Sequence, residues 1–299
     1  MMLLIGGDSE IGAATGRYLT TQALPVHATT RRRECVSAAR PFLDLAAELD
    51  AWEPPPGTRS ACILAAVARL AACAADPVGS AHVNLTQTLA LIERLLARGI
   101  HVLFLSTNQV FDGLTANVVP DAPTCPVSEY GRQKARVEIE LRSWMSEGAP
   151  VAILRLGKVV APAMPLIEDW GAKLAAGTPI SAFHDMPLAP TPIDVVAQAI
   201  GALMRDRVSG IYQLTGPRDA SYAELGRFVA HRIGADPALV TEVSARDAGQ
   251  PEGSTPRHTT LDSSALRQRY GLSVPDVWVL MDHVVSASAP RRRTDATPR

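Results

Sequence analysis

Tyr130 and Lys134 stand four residues apart in Tyr130-Gly131-Arg132-Gln133-Lys134, downstream of an apolar run that ends in Ser106-Thr107. On a helix, positions i and i+4 share a face, so a phenol and an ammonium at this spacing point into one cleft. A phenol of pKa about 10 is a poor acid–base group near neutrality. A fixed cation beside it stabilises the phenolate and brings its proton within catalytic reach. The same spacing also arises from two residues on a solvated helix face, so its meaning depends on the elements that would hold it.

Those elements start at residue 2. Met2-Leu3-Leu4-Ile5 has strand length and composition, Gly6-Gly7-Asp8-Ser9-Glu10-Ile11-Gly12 follows, and residues 13–19 read as a helix. Strand, glycine turn and helix N-terminus together form a pyrophosphate cradle. Gly6 permits the tight turn and Gly12 the close approach of helix to sheet, with Ser9, Glu10 and Ile11 between them. The pattern is G-x-x-S-x-x-G, so Ser9 puts a side chain where the backbone normally nears the phosphates. Weaker binding is expected there, offset by a hydroxyl that can donate. An ordinary strand-to-helix turn is the alternative reading.

Residues 25–30 read as a second strand running into Arg31-Arg32-Arg33-Glu34. An acidic side chain here would accept the ribose hydroxyls of NAD. Hydroxyl residues with Arg31 and Arg32 instead suit a 2′-phosphate, which predicts NADPH over NADH; a solvated basic turn is the bland alternative. Residues 41–45 read as a third strand that sets Asp44 and Leu45 against an adenine. Residues 61–67 form a fourth, whose small Ala65 and Ala66 let a cofactor lie across the backbone, and the next helix carries Asn84. Residues 102–107 and 151–156 are nearly continuous apolar runs, as strands covered on both faces require. Strands alternating with helices predict an α/β, Rossmann-type doubly wound parallel sheet, with ligands beyond the carboxyl ends of its strands.

Taken in order, these landmarks resemble the extended short-chain dehydrogenase/reductases, and most closely the dTDP-4-dehydrorhamnose reductase family of nucleotide-sugar reductases. The resemblance runs through the glycine turn, Asp44-Leu45, Leu64-Ala65-Ala66, Asn84, the string from Leu105 to Gly113, and Tyr130 with Lys134. It continues, more weakly, in Leu154-Arg155, Pro190-Thr191 with Asp194, residues 210–214, and Leu261-Asp262. It implies an NAD(P)-dependent oxidoreductase that reduces a 4-keto nucleotide-sugar. Tyr130 would protonate the developing alkoxide, Lys134 would lower the phenol pKa and hold the nicotinamide ribose, and Thr107 would donate to the carbonyl oxygen. Asn84 would support the lysine. The substrate positions depart from the family pattern: Asn108-Gln109 replaces Asp-Tyr, Gly157-Lys158 stands where an aromatic is usual, and Thr255-Pro256 displaces Arg257 by one. Asn108, Gln109, Lys158 and Arg257 are the expected substrate contacts. The fold also serves epimerases, dehydratases and non-catalytic cofactor-binding regulatory subunits. A dehydratase needs a carboxylate beside the catalytic threonine, which Asn108-Gln109 does not supply.

The global numbers set limits. A chain of 299 residues that is 47% hydrophobic can bury a large core, and a net charge of −1 gives no case for nucleic acid as the main partner. No apolar run approaches the roughly 20 residues that span a bilayer. Met1 leads straight into the first strand without a signal peptide, so a cytoplasmic location is expected. Four cysteines (Cys35, Cys62, Cys73 and Cys125) lack C-x-x-C spacing and read as buried thiols. His184-Asp185 has no histidine partners at ligand spacing; it reads as a loop near the cleft, and no metal site is expected. Residues 1–160 read as the NAD(P)-binding domain, joined by about 188–214, with 161–285 mainly a substrate lobe and 286–299 a disordered tail. Within the second lobe, 167–176 reads as a helix, 179–192 as a loop along the cleft, and 222–233 as a helix capped by Ser221 with Glu224. A homodimer is left open.

Overall fold

The computed structural model describes residues 1–49 and 51–288. In chain order, β1 (Met2–Ile5), α1 (Glu10–Thr21), β2 (Val26–Ala28) and β3 (Ser60–Ile63) are followed by α2 (Leu70–Ala75), α3 (Pro77–Ala81) and α4 (Thr88–Leu96). Next come β4 (His101–Thr107), α5 (Glu129–Ser146), β5 (Val151–Leu156) and β6 (Val159–Val160). The second half adds α6 (Pro165–Ala175), β7 (Ile180–Phe183), β8 (Pro187–Leu188), β9 (Thr191–Pro192), α7 (Ile193–Asp206) and β10 (Gly210–Leu214). It ends with β11 (Ala220–Ser221), α8 (Tyr222–Ile233), β12 (Val240–Val243), α9 (Ser264–Tyr270) and α10 (Val277–Ser288).

Six strands pair in parallel, in the order β2-β1-β3-β4-β5-β10, to give the doubly wound sheet. Every residue of β1, β3, β4 and β5 is buried, because helices cover both faces. On one face Leu3, Phe104 and Ile153 pack with Leu91 and Leu95 of α4 and Leu141 of α5. On the other, Leu4, Leu103 and Leu154 pack with Leu19 of α1 and Ile200 and Leu203 of α7. A Cβ at Gly201 would come within 2.8 Å of the Tyr18 ring, so glycine sets how closely α7 approaches α1. Leu266, Tyr270 and Val274 join this second core, so residues 264–274 pack on the sheet although the sequence assigns them mainly to the substrate lobe. That lobe has its own core, built from Ile167 and Trp170 of α6, Leu225 and Val229 of α8, and Met281 of α10. Ser221 and Glu224 form the expected reciprocal cap at the start of α8.

Several sequence expectations are corrected. Residues 41–45 are not a strand: Thr30 and Phe42 make a single parallel bridge, through Thr30 N–H to Pro41 O and Leu43 N–H to Thr30 O. Pro41 has no N–H to give, and Asp44 turns its carboxylate back onto the Ala46 N–H, which ends the pairing. Asn84 lies in a π-helical turn, His82–Gln87, between two α segments. Residues 179–192 contain three short strands, and 286–288 continue α10; the rest of the expected disordered tail lies outside the described residues. Cys62 and Cys73 are buried, but Cys125 is exposed. No described helix is long and apolar enough to cross a membrane, and no three His, Cys, Asp or Glu side chains converge among the described residues.

Candidate active site

The glycine turn joins β1 to α1 and forms one wall of a groove of about 440 Å³. Gly6 has a φ of +96°, a conformation that favours glycine, and a Cβ there would sit 2.7 Å from the Ala65 nitrogen. At Gly12 a Cβ would come 2.6 Å from the Gly6 carbonyl oxygen. Ser9 caps α1: its hydroxyl accepts from the Gly12 N–H at 3.0 Å and donates to the Gly6 carbonyl at 2.9 Å. The side chain in the middle glycine's place thus closes the turn on itself. Ser9→Ala is expected to cost about 1 kcal/mol, read as a lower urea midpoint at unchanged slope.

Gly6, Ser9, Arg31, Arg32, Asp44, Leu45, Ala65 and Ala66 all line this groove, at the carboxyl ends of the strands. Glu10 and Ile11 begin α1 and, like Gly12, do not line the groove. The groove is a close, side-chain-poor backbone cradle of the kind a dinucleotide pyrophosphate needs. Asn84 does not line the groove. Its amide clamps both backbone groups of Val67, at 2.8 and 2.9 Å, and donates to Gln133 on α5 at 2.8 Å. It therefore fixes the segment after β3 to the helix that carries Lys134, and touches the neighbour of the lysine, not the lysine itself.

A second cleft, about 380 Å³, begins at Ala68, where the groove ends at Val67. Thr107, Asn108, Gln109, Tyr130 and Lys158 line it. Thr107 ends β4, and its hydroxyl accepts from the Gln109 N–H at 3.2 Å, starting a 3-10 turn over Asn108–Val110. Ser128 caps α5 by accepting from the Gly131 N–H, and a Cβ at Gly131 would run into the Gln109 carbonyl oxygen. Glycine between the tyrosine and the lysine thus lets α5 sit directly on the turn after β4. The Tyr130 hydroxyl has no hydrogen-bond partner among the described residues. Lys158 is exposed at the cleft, and its ammonium has no ion-pair partner among the described residues. Arg257 is exposed and lies off the cleft; its N–H bonds to Gly113 O.

Lys134 is buried. Its ammonium donates to the Leu105 carbonyl at 2.8 Å, lies 4.3 Å above the Phe104 ring, and is 5.9 Å from the Tyr130 ring centre. Burial lowers it to about 8, against the opposing pull of Glu138. Burial raises the Tyr130 phenol above its ordinary value, with Cys73 adding to the rise. The lysine's effect on the phenol is therefore not expressed in this arrangement. Between about pH 8 and 10.5 the folded chain holds fewer protons at Lys134 than the unfolded chain, so its burial penalty fades as pH rises. The stability deficit of wild type against Lys134→Met is expected to narrow from about pH 7 to about pH 10 in urea titrations.

Met186, Pro187 and Leu188 line the cleft within the 179–192 stretch that the sequence sets along it, whereas sequence reasoning missed Tyr222, Ser254 and Thr259. No spacing relates them to the nucleotide-binding half. Asp8 and Arg40 at the groove were missed as well, although Asp8 stands inside the glycine turn. His184-Asp185 is a brace: slight burial would raise the Asp185 carboxyl, but the Ala245 N–H, the Ser244 hydroxyl and the Arg246 N–H outweigh it and hold it at about 2.

Residues 1–287 match the model of the family described as "RmlD substrate binding domain". The chain is 30% identical over 174 residues to a dTDP-4-keto-6-deoxy-D-glucose reductase of Streptomyces niveus, covering 57% of this chain but only 59% of that relative, less than two thirds of its length. It is 26% identical over 243 residues to a dTDP-4-dehydrorhamnose reductase of Sinorhizobium fredii, covering 73% of this chain and 79% of the relative. Among solved structures, the Thermus thermophilus UDP-glucose 4-epimerase in complex with NAD superposes with a TM-score of 0.78 at 22% identity, covering 96% of this chain and 98% of that one. That likeness shows the Rossmann-type fold. The family match over nearly the whole chain shows more: the chain belongs to the RmlD substrate-binding-domain family, as a dTDP-4-dehydrorhamnose reductase-like member of the extended short-chain dehydrogenase/reductase oxidoreductases.

Proposed function

We propose that the chain reduces a 4-keto nucleotide-sugar. The observation that carries this reading is the junction of groove and cleft at residues 67 and 68, with the Thr107 and Tyr130 hydroxyls on the cleft side and Lys134 one turn further along α5. A reduced nicotinamide dinucleotide bound along the groove would supply the hydride. In that reading Thr107 donates to the ketone oxygen, and Tyr130 gives that oxygen its proton. The Lys134 ammonium lies 5.9 Å from the Tyr130 ring centre, held on Leu105 O, and in this reading it serves the phenol and the nicotinamide ribose. Its departure from Leu105 O would bring the phenol toward a useful pKa. Lys158 at the open end of the cleft supplies a cation for the diphosphate, and Asn108 and Gln109 supply amides for sugar hydroxyls. Arg257 would reach the substrate only if the loop before Thr259 moved inward.

The amides of Asn108 and Gln109 also speak against dehydration, which needs a carboxylate beside Thr107. The cofactor draws support in two directions. Arg31 and Arg32 line the groove and favour the 2′-phosphate of NADPH, whereas Asp8 among the same groups favours the free ribose diol of NADH.

The reading is tested by incubating the full chain and reduced dinucleotide with dTDP-4-keto-6-deoxy-D-glucose and with dTDP-4-dehydrorhamnose. Loss of nicotinamide absorbance should accompany a product two hydrogens heavier by mass. A dinucleotide that binds while both nucleotide-sugars stay unreduced would leave the chain a cofactor-binding regulatory subunit.

A further inference from the structure

At the carboxyl end of β2 the chain assembles four donors suited to a phosphate monoester: the Thr30 hydroxyl, the Arg31 N–H, the Arg40 guanidinium, and the nearby charge of Arg32. The first three are already turned on one anion of the protein itself. Asp8 Oδ2 accepts from Thr30 Oγ1 at 2.8 Å and from the Arg31 N–H at 3.1 Å, and Oδ1 pairs with Arg40 Nη2 at 2.6 Å. Slight burial would raise the Asp8 carboxyl. The Thr30 and Arg31 hydrogen bonds, with Arg40 and Arg32, outweigh it and keep the group ionised. Asp8 lines the same groove as Gly6, Ser9, Arg31 and Arg32.

We propose that Asp8 selects the dinucleotide, filling the anion cradle at the end of β2 with the protein's own carboxylate so that the groove takes NADH in preference to NADPH. The proposal rests on reading the groove as a nicotinamide-dinucleotide site. A carboxylate offers about four lone-pair sites, and three are used here, which leaves one to accept a ribose 2′-hydroxyl. A 2′-phosphate would have to take Thr30 and Arg31 from Asp8 while lying against its negative charge. Like charges a few ångströms apart at an effective dielectric of about 20 weaken binding by on the order of tenfold or more. The donors at this strand end are therefore partly spoken for: Arg40 pairs with Asp8, and Arg31 gives Asp8 its backbone N–H.

The test is a fluorescence titration of the full chain with NADH, NADPH, ADP and adenosine 2′,5′-bisphosphate, none of which needs a sugar substrate. Wild type should bind NADH at least about tenfold more tightly than NADPH and gain nothing from the 2′-phosphate of the bisphosphate. Asp8→Asn keeps an acceptor for Thr30 and Arg31 but removes the charge. It should shift the preference toward the 2′-phosphate, tightening NADPH relative to NADH and the bisphosphate relative to ADP by about tenfold or more. Tighter NADPH binding by wild type overturns the proposal without recourse to any variant, and so does a variant that moves both dinucleotides equally. Failure of all four ligands to bind would overturn the groove reading itself, a result distinct from a wrong preference.

Discussion

Tyr130→Phe is expected to lower turnover on the true nucleotide-sugar by about 10³-fold, within the 10²–10⁴ that a positioned proton donor contributes. Dinucleotide affinity should stay within about twofold, because the substitution removes one oxygen on the cleft side of the junction and leaves the groove intact. The hydroxyl has no partner among the described residues, so its removal orphans nothing and the fold should persist. Steady-state rates beside a dinucleotide titration separate the two effects. A Phe variant with more than about a tenth of wild-type turnover would place the proton donor elsewhere.

Glu138→Ala is expected to be the most destabilising single change. Arg155 and Glu138 are fully buried, with Nη2 to Oε2 at 2.6 Å and Nε to Oε1 at 3.0 Å. The remaining guanidinium nitrogen donates to Pro120 O at 2.9 Å and Gln213 Oε1 at 3.0 Å, and the Phe111 ring lies 4.8 Å away. The pair joins α5, β5, β10 and the loop before α5. Removing the carboxylate leaves a buried cation without its counter-charge, at about 3–5 kcal/mol, which is on the order of 10 °C in melting temperature for a chain this size. Replacing both partners, with Glu138→Leu and Arg155→Met together, should recover most of that loss, since a packed apolar pair often replaces a buried ion pair without penalty. A single variant that melts within about 2 °C of wild type would contradict a buried, mutually dependent pair.

The parts legible in the sequence are those governed by short-range rules. β1, β4 and β5 follow from unbroken apolar runs, and the start of α8 from a serine and a glutamate three residues apart. The glycine turn is legible because only small residues allow Gly6 and Gly12 to approach as they do. What escapes depends on distant partners. The 41–45 segment has strand composition, yet Pro41 and the Asp44 turn leave it one bridge. Asp8 reads as a turn residue until the fold brings residues 30 and 40 to its two oxygens. Tyr222 on the cleft wall carries no motif, because aromatic contact to a ligand needs shape and no fixed spacing. Asn84 was legible as a landmark but not in its contacts, which run to Val67 and Gln133.

The outer edge of β5 is covered by β10, and the face of the sheet behind Leu4 and Leu154 is closed by α7. Both covering elements leave the ribosome long after the strands they protect. While residues 157–190 are being made, the nascent chain carries an unpaired parallel strand and an apolar face that α1 covers only in part, a state that invites chaperone binding or aggregation. The sheet cannot gain its last strand until about residue 214 has emerged from the exit tunnel. The half-finished sheet is thus the stage of synthesis at which the chain is most open to misassociation.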